Sequence, residues 1–406
     1  MPTINRPNLL LIVCRGLNAQ DLTEFGAVTP ALSALAATGR SFDCDLPDPR
    51  SGPVRATLMT GRWPQSHGLW ADGAVLPLRE ELVSQVLANA GYDCGLVGSS
   101  HLAPVAGWRT EARRDADGFR VWNWAHGPAH RARQNAYIAS LKSRDPDTHD
   151  RLFPTQGNPD EQQPDPSLVA ALAALPEGSG FNNWVSDSSI DFIDTQRPAG
   201  QPWLLVAGFQ IVGNRNADAL AKLDTGVGHL VSALEDRQLS GDTLIVLTAD
   251  TASAGGRTSS DLQVPLILNW PGRLPDGPAT NASPVDIAPS FCAAAGLPPR
   301  PRHQGRSLLD DHVASGHESI TTFREGTRAR LTRGTTAITL GKYRLVLGHG
   351  DAAGETALYD LEQDPDERDN IAADPAHCDL IEAMTDRLLA ALCAREDRSQ
   401  PRLGGF

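Results

Sequence analysis

The sequence predicts an α/β protein, a mostly parallel β-sheet with helices on both faces, followed by a small C-terminal α+β subdomain. Two observations carry this. Several apolar runs show no polar alternation, the pattern of strands buried on both faces, and amphipathic segments of helical period separate them. The first run is Asn8-Leu9-Leu10-Leu11-Ile12-Val13, and Thr29-Pro30 then opens a helix over Ala31 to Thr38, with Leu32, Leu35 and Ala36 on one face. A loop rich in Asp, Pro and Gly is expected over 43–53, then a short helix at Ala56–Thr60 stopped by Gly61. Glu80 to Ala90 reads as amphipathic, and Gly91 caps it before the strand around Cys94 to Gly98. The alternation continues with strands at Trp203–Ala207, Thr243–Leu247 and Pro265–Leu268 and a helix over Ala217 to Asp236.

The stretch 108–166 is rich in Arg, Asp, His, Gln and Pro and is expected to be an insertion or long excursion. Past residue 310 the pattern changes to short antiparallel strands at Ala337–Leu340, Tyr343–Leu347 and Ala357–Leu361 and a last amphipathic helix over about His377 to Ala394. We therefore expect a core domain over 1–310 and a C-terminal subdomain over 311–406.

With 36 Lys and Arg against 49 Asp and Glu among 406 residues, the formal charge is −13. Phosphate neutralisation needs a basic face, so a nucleic-acid partner is not expected. Six cysteines show no CxxC pair and no metal-ligand spacing, and they read as reduced core thiols. No apolar run approaches 18 residues, so neither membrane attachment nor a signal segment is expected, and the location expected is cytoplasmic. No Walker-type or GxGxxG loop follows a strand, which leaves nucleotide cofactors without support.

In open parallel sheets ligands bind beyond the carboxyl ends of the strands, so the residues that follow each apolar run are the candidates for a site. The segment Ser51-Gly52-Pro53-Val54-Arg55-Ala56-Thr57-Leu58-Met59-Thr60-Gly61-Arg62 is the most informative. A serine at a helix start with an arginine one turn on suits a sulfate or phosphate group, because backbone N–H groups and the helix dipole favour an anion there.

That pattern resembles the signature of the sulfatase family, within the alkaline phosphatase superfamily. Further blocks match in order: Arg6 to Val13, Thr29 to Ala36, Gly61 to Gly68, Gly91 to Leu102, Val264 to Gly272, Val285 to Pro289, Gln304 to Leu308 and Leu358 to Pro365. The resemblance implies an alkaline-phosphatase-like fold and hydrolysis of a sulfate ester or a related phosphate or phosphonate ester. It also implies a first-position residue, here Ser51, oxidised to formylglycine, and one calcium or magnesium ion held by oxygen ligands. Ser51, Arg55 and His101 match the catalytic positions, Arg15, Arg257 and Gln210 the substrate-binding region, and Asp250 a metal ligand.

The site departs from the family pattern. The adjacent aspartates expected after the first strand are Arg15 and Gly16, and the partner of Asp250 is Thr251. A lysine position is Ser99, and Phe209-Gln210 leads into no histidine. A hard cation needs several oxygen ligands, so the ion is expected to be weakly held or absent. Two readings stay open: an anionic-ester hydrolase acting through Ser51, or a non-catalytic member that binds an anionic ligand or a protein partner. We expect Arg15 to pair with Asp250. His67, His126, His130 and His229 show no constellation and read as surface or structural residues, and Trp122-Asn123-Trp124 reads as packing. A homo-oligomer is compatible with the sequence.

Overall fold

A computed structural model describes residues 6–154, 164–176, 178–196, 198, 200–251, 256, 258–274, 281–310, 318–327 and 330–395. Seven strands form the main sheet: β1 (Asn8–Arg15), β2 (Arg40–Asp45), β3 (Asp93–Gly98), β4 (Val121–Trp124), β5 (Trp203–Gln210), β6 (Thr243–Thr248) and β7 (Gln263–Asn269). Their order is β2-β7-β6-β1-β5-β3-β4. β1 lies between β5 and β6 and pairs with both in parallel, and its residues Leu9 to Cys14 are fully buried, as an unbroken apolar run requires. Among the described strands β7 alone runs opposite to the other six, so the sheet is mostly parallel, as expected.

The helices that frame the sheet are α1 (Pro30–Thr38), α2 (Ser51–Thr60), α3 (Val83–Asn89), α4 (Ala136–Arg144), α5 (Pro146–Leu152), α6 (Phe181–Asp191), α7 (Ala217–Asp236) and α8 (Ile287–Ala294). α7 is the longest, and it buries Leu220, Leu223, Val227, Leu230 and Leu234, the i, i+3, i+4, i+7 stripe of an amphipathic helix.

Two elements differ from the sequence reading. The loop expected from residue 43 begins later, because Arg40–Asp45 adds edge strand β2 beside β7. Its alternating burial points Phe42 and Cys44 inward, a period-2 signal too short to separate from loop. The polar stretch 108–166 is more than an excursion: Val121–Trp124 closes the other edge of the sheet as β4, in parallel with β3.

A second, antiparallel sheet has the order β11-β10-β9-β8, with β8 (Ser319–Thr327), β9 (Arg330–Leu340), β10 (Tyr343–Gly350) and β11 (Thr356–Asp360). The last helix, α9 (Cys378–Arg395), packs Met384 and Leu388 with Ile338, Leu345 and Leu358 into a core of its own. β8 docks on the segment leading to Ser51, through Thr321 Oγ1 to the carbonyl of Leu46 (2.8 Å) and Thr322 N–H to that of Pro47 (2.9 Å). Cys14, Cys44, Cys94 and Cys292 are buried and Cys378 and Cys393 exposed, all as free thiols.

Candidate active site

α2 begins at Ser51, a turn earlier than the apolar pattern suggested, and every residue in it is buried. Its first turn is tied down by Asp72, whose Oδ1 accepts from the Gly52 N–H at 2.8 Å. A Cβ at Gly52 would lie 2.8 Å from that oxygen, so glycine here lets the Asp72 carboxylate close on the helix start. The helix end therefore already carries one carboxylate. The Ser51 hydroxyl is 2% exposed as part of its residue and makes no hydrogen bond among the described residues.

One turn along, Arg55 reaches across to β6. Its Nε donates to Oδ2 of Asp250 at 2.6 Å, with the side chains 3% and 0% exposed. The expected Arg15–Asp250 pair is thus corrected: Asp250 is held by Arg55. Geometry decides it, because Arg55 projects from a fully buried helix over Gly208 of β5, where a Cβ would stand 3.5 Å from its Nη2. The other Asp250 oxygen, Oδ1, is buried without a hydrogen-bond partner among the described residues. The terminal amino groups of Arg55 likewise make no hydrogen bond there.

Arg15 ends β1, beside Gln210 of β5. Its guanidinium forms no ion pair among the described residues. It lies close enough to His101 and His126 for its charge to disfavour protonation of both. Next to it, the Gly16 N–H donates to the Thr251 carbonyl at 2.8 Å, so the ends of β1 and β6 are joined backbone to backbone.

His101 is held in a left-handed backbone conformation, φ 58°, sparsely populated for any side chain but glycine and costing roughly 1–3 kcal/mol. The sequence gives no sign of what holds it there. The answer is Glu111, 3% exposed, whose carboxylate accepts from Ser100 Oγ (2.5 Å), the N–H groups of His101 (3.3 Å), Leu102 (2.5 Å) and Ala103 (3.1 Å), and Trp124 Nε1 (2.8 Å). Five donors on one carboxylate fix the loop after β3 against β4. Trp124, 1% exposed, is a packing residue with its one polar atom satisfied, in keeping with the packing reading.

The histidines also correct the sequence reading, which left His126 and His130 without a constellation. The His101 and His126 ring centroids are 4.7 Å apart and those of His126 and His130 4.9 Å. Burial is the main reason that all three are pushed below the ordinary histidine range, with Arg15 next for His101. His130 Nε2 faces the Val105 carbonyl at 2.9 Å, which makes it the donor nitrogen in a neutral ring. His101 Nε2, His126 Nδ1 and His130 Nδ1 are buried without hydrogen-bond partners among the described residues. No sequence spacing joins position 101 to positions 126 and 130. They meet because β4 pairs with β3, and both chains leave the same edge of the sheet.

Gln210 holds the site from the other side. Its backbone exchanges two hydrogen bonds with the Asn182 side chain, at 2.9 and 3.0 Å, and its amide lies against Gly127, beside His126. Arg257 falls outside the described residues. The structure thus brings Arg15, Ser51, Arg55, His101, Gln210 and Asp250 to one end of the sheet and adds Glu111, His126 and His130. His67 is buried and structural, with Nδ1 accepting from the Leu69 N–H and Nε2 facing Thr57 Oγ1, each at 3.1 Å.

The donor set does not fit a hard divalent cation. Such ions take six or more oxygens, several of them from carboxylates. Here the strand-end positions are a guanidinium and a glycine, and Asp250 gives one oxygen to Arg55. Among the described residues no group of three or more His, Cys, Asp or Glu is placed to hold a metal ion.

The mostly parallel sheet, with a serine-initiated helix at its carboxyl end and a small antiparallel sheet after it, has the architecture of the alkaline phosphatase type. The sulfatase family model matches residues 7–297, and the model of the N-sulphoglucosamine sulphohydrolase C-terminal region matches residues 258–393. The chain belongs to the sulfatase family, whose general function is the hydrolysis of sulfate esters. It is 28% identical to arylsulfatase A of Bos taurus over 90% of this chain and 83% of that one. It is 26% identical to N-acetylgalactosamine-6-sulfatase of Canis lupus familiaris over 83% and 71%. In structure it is similar to the phosphonate monoester hydrolase of Agrobacterium radiobacter, with a TM-score of 0.76, 20% identity and 96% of both chains covered.

Proposed function

We propose that this sulfatase-family protein recognises an anionic ester, a sulfate or phosphonate monoester, through Arg15 in place of a divalent cation. The observation that carries this reading is the charge arrangement. Arg55 and Asp250 neutralise one another, the flanking imidazoles are held neutral, and Arg15 remains a cation without an ion-pair partner among the described residues. A guanidinium offers a planar fork of N–H donors suited to a tetrahedral oxyanion, and partial burial strengthens the contact. The terminal amino groups of Arg55 supply further donors on the same side.

Hydrolysis through Ser51 is the second reading, favoured by the free, neutral Nε2 of His101, which can accept a proton from an attacking hydroxyl. The test is titration calorimetry with 4-nitrophenyl sulfate in EDTA, beside a turnover assay. The reading predicts binding that Arg15→Gln weakens about tenfold or more, as loss of a charge-assisted hydrogen bond of roughly 1.5–3 kcal/mol demands. Binding that requires calcium and ignores Arg15→Gln would overturn it. Turnover abolished by Ser51→Ala, together with the mass of the peptide carrying residue 51, decides whether the hydroxyl or an oxidised derivative acts.

A further inference from the structure

The loop 69–76 runs between the two segments that carry Ser51 and His101. Leu69 is buried, with its Cδ2 3.2 Å from the point where a Gly52 Cβ would stand. The Trp70 carbonyl accepts from Arg50 Nη2 at 2.7 Å, and the Leu76 N–H donates to the Leu102 carbonyl at 2.9 Å. Between these anchors the chain turns at Gly73, φ 78°, and leaves Asp72 exposed beside the start of α2.

The Asp72 carboxylate takes one hydrogen bond, from the Gly52 N–H, and forms no ion pair among the described residues. That bond and the covalent geometry put its Oδ1 within about 5 Å of the Ser51 Cα. The point where a Gly52 Cβ would stand lies 2.8 Å from the same oxygen and 3.5 Å from the His101 carbonyl, so the carboxylate stands between the two segments on the solvent side of the site. Its charge is felt further in: the Asp48 carboxyl, 1% exposed, is pushed up to about 6, by burial first and by the Asp72 charge as well. Around Ser51 and His101, Arg55 and Asp250 neutralise one another and Arg50 takes both oxygens of Asp48. Arg15 and Asp72 have no ion-pair partner among the described residues.

We propose that Asp72 is a specificity-determining residue, biasing the site toward esters with a single negative charge, such as sulfate esters and phosphonate monoesters, and against dianionic phosphate monoesters. The inference rests on the reading of Arg15 given above. Arg15 attracts the anion, and Asp72 repels each negative charge that the anion carries. Coulomb energy is proportional to ligand charge, so the factor by which Asp72 weakens a monoanion is squared for a dianion.

Calorimetry in EDTA with benzylsulfonate and benzylphosphonate tests it. Neither probe has an ester bond to cleave, and in alkaline buffer the first carries one charge and the second two. Asp72→Asn keeps an acceptor for the Gly52 N–H and removes the charge. It is expected to raise affinity for benzylsulfonate about threefold and for benzylphosphonate about tenfold, as one charge against two requires. Asp72→Glu keeps the charge and is expected to hold the wild-type preference. Equal factors for the two probes, no change, or affinities that fall would overturn the role of Asp72, and so would an Asp72→Glu variant that behaves as Asp72→Asn. Binding of both probes indifferent to Arg15→Gln would instead overturn the Arg15 reading, while unequal factors in Asp72→Asn would uphold Asp72 alone.

Discussion

Asp250→Asn separates the two roles that this aspartate can have, ion-pair partner or metal ligand. Its carboxylate is wholly buried against Arg55, which is 3% exposed, with nitrogen and oxygen 2.6 Å apart. Removing one partner of such a pair leaves an uncompensated buried charge, a loss of about 3–5 kcal/mol. The family-matched core spans residues 7–297. At about 2.1 cal/mol/K per residue its unfolding entropy is roughly 0.6 kcal/mol/K, so the substitution should lower Tm by about 5–8 °C. Differential scanning calorimetry in EDTA gives the number. The double variant Arg55→Met/Asp250→Leu removes both charges together and is expected to recover most of the loss. A shift below about 1 °C in EDTA would refute the ion-pair reasoning. So would a wild-type Tm that rises with calcium by several degrees and an Asp250→Asn variant that has lost that response.

Three further outcomes follow from the geometry. Glu111→Gln keeps the size of the side chain but halves its acceptors, so His101 should lose its fixed backbone, with stability falling by about 2 kcal/mol and affinity for 4-nitrophenyl sulfate falling with it; denaturant unfolding and calorimetry read both. His67 is pushed down to about 3 by burial. The unfolded state then takes up its proton first, so this group's contribution is complete above the ordinary histidine value and is lost as pH falls from about 6.5 toward 3, at about 1.4 kcal/mol per pH unit. His67→Gln should flatten that part of the stability–pH curve, measured by urea unfolding at several pH values. Ser51→Ala removes a hydroxyl with no partner among the described residues, so ester affinity should change less than about fivefold, the size of one neutral hydrogen bond.

The frame of the molecule was legible because its signals are local. Leu9 to Val13 is an unbroken apolar run and became the central strand, and the stripe from Leu220 to Leu234 became the longest helix. Ser51, Arg55, His101 and Asp250 were legible through family-like motifs, and the loss of the paired carboxylates was visible as Arg15 and Gly16. What escaped was decided by contacts distant in sequence. β4 is four residues long in a polar stretch, with no periodicity to mark it. Pairing of β4 with β3 brings His126 and His130 to His101 and lets Trp124 reach Glu111, so an edge unrecognised in the sequence concealed a third of the site. The partner of Asp250 was misassigned for the same reason: β1 and β6 are adjacent, but the arginine that reaches the carboxylate comes from the helix above them.

Difference electron density for an oxyanion in crystals grown in EDTA and soaked with sulfate tests the central claim most directly. The account predicts a tetrahedral anion with an oxygen about 2.7–2.9 Å from the Arg15 guanidinium, beside His101 and His126, while Asp250 keeps its bond to Arg55. A cation coordinated by Asp250 in calcium-soaked crystals, with Arg55 displaced and the anion bound to that cation instead of Arg15, would contradict it.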